Sequence, residues 1–184
     1  MKKTKFKDLF LIQNKSFKDN RGYFKELIRE DRINKKFPFL VMSFSKKNVI
    51  RGLHLQKKKC NKSFELKKKK SQGKFVSVIK GKIYDIAVDL RKNSKTFGQY
   101  YQCILSEKNS RSIFIPPGFA HGFQTLEKEN YIIYSCTQYR HSTSETVIKF
   151  NDSDLNIKWP LTKKNFSKKD KNGMSLKNFK DMMK

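Results

Sequence analysis

Apolar residues recur in short alternating runs separated by turn residues, a rhythm that predicts β-strands rather than helices. The rhythm is clearest from residue 75 onward. FVSVI (75–79) is followed by Lys80-Gly81-Lys82 and then by IYDIAVDL (83–90), in which Tyr84, Ile86, Val88 and Leu90 alternate with Ile83, Asp85, Ala87 and Asp89. That pattern predicts a hairpin with one strongly apolar face. RKNSKTFG (91–98) reads as a loop, QYYQCIL (99–105) as a strand, SEKN (106–109) as a tight turn and SIFI (112–115) as a buried strand. Pro116-Pro117-Gly118 then interrupts the ladder, because proline lacks the N–H and glycine permits positive φ. Strands resume at NYIIYSCTQY (130–139) and TVIKFN (146–151), and upstream YFKELI (23–28), FLVMSFS (39–45) and RGLHLQ (51–56) have the same character. The lysine-rich tail from 161 predicts loop and short helix. There is no internal repeat and no helical core pattern longer than about two turns. The expectation is an all-β sandwich or barrel.

Composition makes such a core affordable. The 184 residues suit one domain, and the 16 Phe and 7 Tyr supply core despite a mean hydropathy of −0.77. No run approaches the ~18 apolar residues of a membrane span, and the apolar stretch in MKKTKFKDLFLIQ is too short for a signal peptide, so a cytoplasmic protein is expected. Cys60, Cys103 and Cys136 are odd in number and form no CxxC, which fits neither a disulfide framework nor a zinc knuckle. The net charge of +27 first suggests nucleic acid or an anionic membrane. Its distribution argues otherwise. Residues 71–160 carry only +4, whereas KKKCNKSFELKKKK (57–70) holds eight lysines against Glu65. With Phe64 its one aromatic and lysine in place of arginine, that stretch reads as a solvated loop insertion rather than a specific nucleic-acid site.

The search for a general base is short, since the histidines are His54, His121 and His141. His54 alternates with Leu53 and Leu55, so it faces either solvent or the polar interior of a barrel. His121 lies in PPGFAHGF, which reads as a rigid turn able to aim a side chain into a pocket. His141, in YRHSTSE, reads as exposed. A metal-binding cupin would offer an HxH pair, but His54 is followed by Leu55-Gln56, so no metal is expected. Phosphate loops, hydrolase elbows and paired-cysteine sites have no counterpart here.

Six segments together resemble the dTDP-4-dehydrorhamnose 3,5-epimerases: DNRGYFKE (19–26), VIRGLHLQ (49–56), QGKFVSVIKGKIYDIAVDLRKNSKTFGQY (72–100), IFIPPGFAHGFQTL (113–126), YSCTQYRHSTSE (134–145) and NDSDLNIKWP (151–160). The resemblance implies a cupin-type jelly-roll β-barrel over 1–184, catalysis without metal or cofactor, and a homodimer with exchanged N-terminal strands. It implies that His54 is the general base, Asp170 its orienting carboxylate, Tyr134 the general acid, and Lys74 the group beside the substrate keto oxygen. Arg21, Glu26, Arg51, His121, Glu145 and Lys169 match positions lining the substrate site. Arg51, three positions before His54, falls on the opposite parity of a regular strand. The Gln-x-Asn element common before the family's SxS segment is absent from PFLVMSFS (38–45).

These residue types suit the implied chemistry. A 4-keto sugar has acidic C–H bonds at C3 and C5, because the carbonyl can take up the charge as an enolate, and neutral imidazole can remove such a proton near pH 7. A carboxylate on the other ring nitrogen fixes the tautomer, and a pre-placed cation stabilises the enolate oxygen. Inversion needs a proton from the opposite face, hence a separate acid. The implied function is epimerisation of a nucleotide-linked 4-keto-6-deoxy sugar for polysaccharide synthesis. A single-carbon epimerase, a metal-dependent cupin enzyme and a basic nucleic-acid-binding module are the alternatives.

Overall fold

The structure, a computed structural model, describes residues 1–56 and 71–183; the lysine-rich stretch 57–70, with the loop expected there, lies outside the described residues. Among the described residues the chain forms β1 (Lys2–Lys3), β2 (Phe10–Gln13), β3 (Ser16–Asp19), β4 (Gly22–Lys25), β5 (Phe39–Lys46), β6 (Ile50–Gln56), β7 (Lys74–Lys80) and β8 (Lys82–Asp89). It continues with β9 (Tyr100–Ser106), β10 (Arg111–Ile115), β11 (Phe119–Thr125), β12 (Glu129–Cys136) and β13 (Glu145–Val147). Short helices are α1 (Glu30–Ile33), α2 (Lys168–Lys171) and α3 (Leu176–Asp181). A six-stranded sheet runs β1-β2-β10-β7-β12-β5, a five-stranded sheet runs β13-β6-β11-β8-β9, and β3–β4 form a separate hairpin. All pairings between these strands are antiparallel. The alternating runs predicted the all-β architecture, and the jelly roll is the one implied by the resemblance.

Strand parity sorts the side chains into layers. Val76, Val78, Ile83, Ala87, Ile113, Ile115, Phe119, Phe123 and Ile132 form one buried cluster between the sheets. Burial of each larger side chain contributes about 1.5–3 kcal/mol. The opposite parity of β8 carries Ile86, Val88 and Leu90, packed with Leu155, Leu176 and Phe179. The apolar face predicted for the hairpin is therefore roofed by the C-terminal part of the chain, and Asp85 belongs to the other parity, between the sheets. The tail is accordingly part of the fold. Its α3 is capped by Ser175, whose side chain accepts from the Asn178 N–H, and it buries Phe179 completely. A third cluster, Ile12, Phe75 and Phe114 with Ile28, Ile33 and Phe37, holds the segment around α1.

The structure departs from the pattern in several places. PPGFAHGF was expected to be a turn, yet Phe119–Thr125 is a fully buried strand paired on both sides. The strands β1 and β2, not anticipated, join the sheet beside β10. The strand expected at 23–28 ends at Lys25, that at 130–139 ends at Cys136, and that at 146–151 is only Glu145–Val147. Among the described residues no helix is long and apolar enough to cross a membrane.

Candidate active site

A cavity of about 660 Å³ lies between the sheets, with His54 and His121 contributed by one and Lys74 and Tyr134 by the other. Its shape depends on an irregularity in β6. His54 opposes His121 and Arg51 opposes Phe123, so two residues of β6, Gly52 and Leu53, face the single residue Gly122. Such a bulge shifts the alternation by one position. Arg51 therefore lines the same cavity as His54, contrary to the parity expected of a regular strand. Two glycines allow it. Gly52 has φ +139, which other residues rarely adopt, and a Cβ there would lie 2.5 Å from the Gly122 Cα.

His54 sits between two carboxylates. Its Nε2 is 2.6 Å from Asp170 Oδ1, and its Nδ1 is 3.7 Å from Glu145 Oε1. Asp170 stands in the first turn of α2, where Ser167 caps the helix and also bonds the other carboxylate oxygen at 2.8 Å. Burial works to raise the Asp170 pKa, but bonds from His54, Ser167 and the Gly52 backbone outweigh it and keep it below the ordinary value. Glu145 behaves alike: burial opposes ionisation, while Lys169 at 2.5 Å and Arg140 at 2.9 Å bond one oxygen and lower its pKa. The predicted His54, Asp170, Glu145 and Lys169 thus form one connected cluster.

Across the cavity, the Tyr134 hydroxyl is 2.9 Å from Ser43 Oγ. Its ring lies edge-on to His121, with centroids 6.3 Å apart. Burial drives the phenol pKa well above its ordinary value, against the pull of Ser43 and Arg51. Lys74 stands opposite Cys136 in the β7–β12 ladder, and both line the cavity. Burial lowers the Lys74 pKa, while Cys136, Glu145 and Asp85 push it back up. His121 belongs to a central strand rather than to the expected turn, and its Nε2 lies 2.8 Å from Asp85 Oδ2. Both of those residues are buried, and among the described residues the second oxygen, Asp85 Oδ1, has no hydrogen-bond partner.

Arg21 and Glu26 do not join this cavity within the chain. Arg21 pairs with Asp19 in the exposed β3–β4 hairpin, and Glu26 pairs with Arg29 at 3.8 Å. Asp85, Ser43 and Ser167 were missed by sequence reasoning. For Asp85 a signal existed, a carboxylate set between Ile83 and Ala87 on the inward parity of β8. The hydroxyls are too common a type to stand out. Among the described residues no group of three or more His, Cys, Asp or Glu side chains could hold a metal ion.

The sequence profile described as dTDP-4-dehydrorhamnose 3,5-epimerase matches residues 3–178. The chain belongs to that family. The dTDP-4-dehydrorhamnose 3,5-epimerase of Methanothermobacter thermautotrophicus is 40% identical to it, over 86% of this chain and 83% of that protein. Among solved structures, the dTDP-6-deoxy-D-glucose-3,5-epimerase of Legionella pneumophila, in complex with dTDP-4-keto-L-rhamnose, superposes with a TM-score of 0.84 at 38% identity. The alignment covers 95% of this chain and 90% of that one. The dTDP-4-dehydrorhamnose 3,5-epimerase of Bacillus anthracis, with TDP and PPi bound, gives 0.84 at 35% identity, over 94% and 97% of the two chains. Membership of the 3,5-epimerase family makes the chain an isomerase with a cupin-type fold, as its motifs implied.

Proposed function

We propose that this isomerase inverts C3 and C5 of a nucleotide-linked 4-keto-6-deoxy sugar, converting dTDP-4-dehydro-6-deoxyglucose to dTDP-4-dehydrorhamnose in deoxysugar and polysaccharide synthesis. The observation that carries this reading is the placement of His54 and Tyr134 on opposite sheets, lining one cavity. A base on one side and an acid on the other is the arrangement inversion requires.

In this reading the ionised Asp170 holds the Nε2–H of His54 and leaves Nδ1 to take the proton from C3 or C5. The electron pair moves into the C4 carbonyl, and the enolate oxygen is met by Lys74. Tyr134 then delivers its proton to the opposite face of the carbon. Arg51, anchored by Ser45, faces the diphosphate, which a guanidinium can bind in bidentate fashion. The whole chain acts as one domain in the cytoplasm and needs no cofactor.

The reading includes a homodimer. Phe17, Tyr23 and Phe24 on the β3–β4 hairpin are 55%, 60% and 69% exposed, and Leu40 and Met42 on the edge strand β5 are 65% and 61% exposed. So much exposed apolar surface favours a protein interface. A hairpin exchanged between copies would bring Arg21 and Glu26 to the cavity of the second copy, which accounts for their distance from the cavity of their own.

The test is deuterium incorporation from D2O into dTDP-4-keto-6-deoxyglucose, followed by NMR at C3 and C5. The wild type should incorporate deuterium at both carbons and form inverted product. His54→Ala should abolish both processes, and Tyr134→Phe should suppress inversion by roughly 10²-fold or more while exchange on the original face persists. Wash-in at one carbon alone would make the protein a single-carbon epimerase. Exchange by His54→Ala at the native rate would overturn the assignment of the base.

A further inference from the structure

The mechanism above leaves one cavity hydroxyl without a task. Ser43 and Ser45 are two residues apart on β5 and so share a face. Ser45 Oγ accepts from Arg51 Nε at 2.9 Å, whereas Ser43 Oγ lies 2.9 Å from the Tyr134 hydroxyl. Tyr134 opposes Val41 in the β5–β12 ladder, so Ser43 is its diagonal neighbour, placed there by the register of the two strands. Hence the backbone ladder itself fixes the distance between the two hydroxyls.

We infer that Ser43 is a positioning residue for the acid step, holding the Tyr134 hydroxyl toward the substrate and stabilising the phenolate that the step creates. The inference rests on Tyr134 being the acid. When Tyr134 gives up its proton, its O–H bond breaks, a C–H bond forms, and the electron pair stays on the phenolic oxygen. That charge appears on a half-buried ring. Among the described groups, Ser43 makes the one hydrogen bond recorded to that oxygen, and Arg51 adds a favourable field. A serine hydroxyl can donate to the oxygen of the neutral phenol, which leaves the single phenol proton free for the substrate, and can donate again to the phenolate. The second bond is charge-assisted and stronger than the first. Ser43 therefore contributes more to the transition state than to the bound substrate, and its effect falls on kcat rather than KM.

The test compares Ser43→Ala, Ser43→Thr, Tyr134→Phe and the double variant Ser43→Ala/Tyr134→Phe in D2O with dTDP-4-keto-6-deoxyglucose, with thermal melts to confirm folding. Ser43→Ala should lower kcat for inversion by roughly 10- to 100-fold, the scale of a hydrogen bond to a charged group, with KM little changed. Wash-in on the original face needs only His54 and should continue near the wild-type rate. Ser43→Thr keeps the hydroxyl and should restore most of the inversion. In the Tyr134→Phe background the serine change should have no further effect, because the two act as a unit. Equal loss of inversion and wash-in in Ser43→Ala, full inversion without the hydroxyl, or additive losses in the double variant would each overturn the inference. Those outcomes leave the epimerase reading standing, whereas a wild type that neither inverts nor exchanges defeats both.

Discussion

Gly122→Ala tests whether the close approach of β6 and β11 sets the catalytic geometry. Gly122 has no positive φ, so the substitution acts by volume alone. The new Cβ would lie 2.7 Å from the Arg51 carbonyl oxygen, 2.9 Å from the Gly52 Cα and 2.9 Å from the Leu53 Cδ2. Ordinary carbon contacts are ~3.5–4.0 Å, and two of these three atoms are backbone, so relief requires β6 to retreat by roughly 0.5–1 Å. Overpacking of this kind costs about 1–3 kcal/mol. For a chain of this length each kcal/mol lowers the melting temperature by about 2–4 °C, so a fall of roughly 2–12 °C is expected. The larger consequence is for turnover. The retreating segment carries Arg51 and adjoins His54, and displacement of a reacting group by ~1 Å can lower the rate by about 10²-fold. Melting by circular dichroism and initial rates of inversion by NMR, measured well below the melting transition, separate the two effects. A Gly122→Ala protein with native melting temperature and native turnover would refute the argument that the bulge and its glycines place the base.

Two further expectations concern charge and metal. Asp89 is fully buried; burial works to raise its pKa, but bonds from Arg91, Ser94 and Thr96 prevail and hold it at about 2, against 3.8 normally. A depressed pKa adds stability that is present above the unfolded value and lost on acidification, here about 2 kcal/mol between about pH 4 and pH 2. Asp89→Asn should flatten the pH dependence of the denaturant-unfolding free energy in that window, and an unchanged slope would disprove the assignment. Chelator treatment should leave turnover intact, because His54 and His121 are each engaged by carboxylates and RGLHLQ offers no HxH pair. Activity lost to the chelator and restored by one divalent ion would contradict it.

Short apolar or alternating runs bounded by turn residues made β7 to β10 and most of β12 legible, several of them buried on both faces. The same rule misjudged PPGFAHGF for a physical reason. Glycine and proline usually signal a turn, but Gly122 is glycine because a strand with any side chain there would strike β6. Phe119, His121 and Phe123 do alternate, and the glycines obscured that rhythm. Arg51 was assigned to the wrong face because a bulge adds one residue without changing composition. His54, Tyr134, Lys74 and Asp170 came from motif resemblance, which carries spatial information that periodicity lacks. Ser43 depends on cross-strand register, which no local window carries, and for Asp85 the local parity signal does not reveal its distant partner His121.

The His54–Asp170 pair joins residues 116 positions apart, and the later member sits on a four-residue helix near the C-terminus. The barrel strands end at Val147, so the strands that carry His54, Lys74 and Tyr134 leave the ribosome before the carboxylate that sets the base. Enzymatic competence thus waits on the docking of the segment that carries Asp170 against strands already made. Phe179 and Leu176 anchor that event on the outer face of the five-stranded sheet. A change that strains this docking would mis-set the base as well as loosen the packing of Leu176 and Phe179, so activity and stability should fall together.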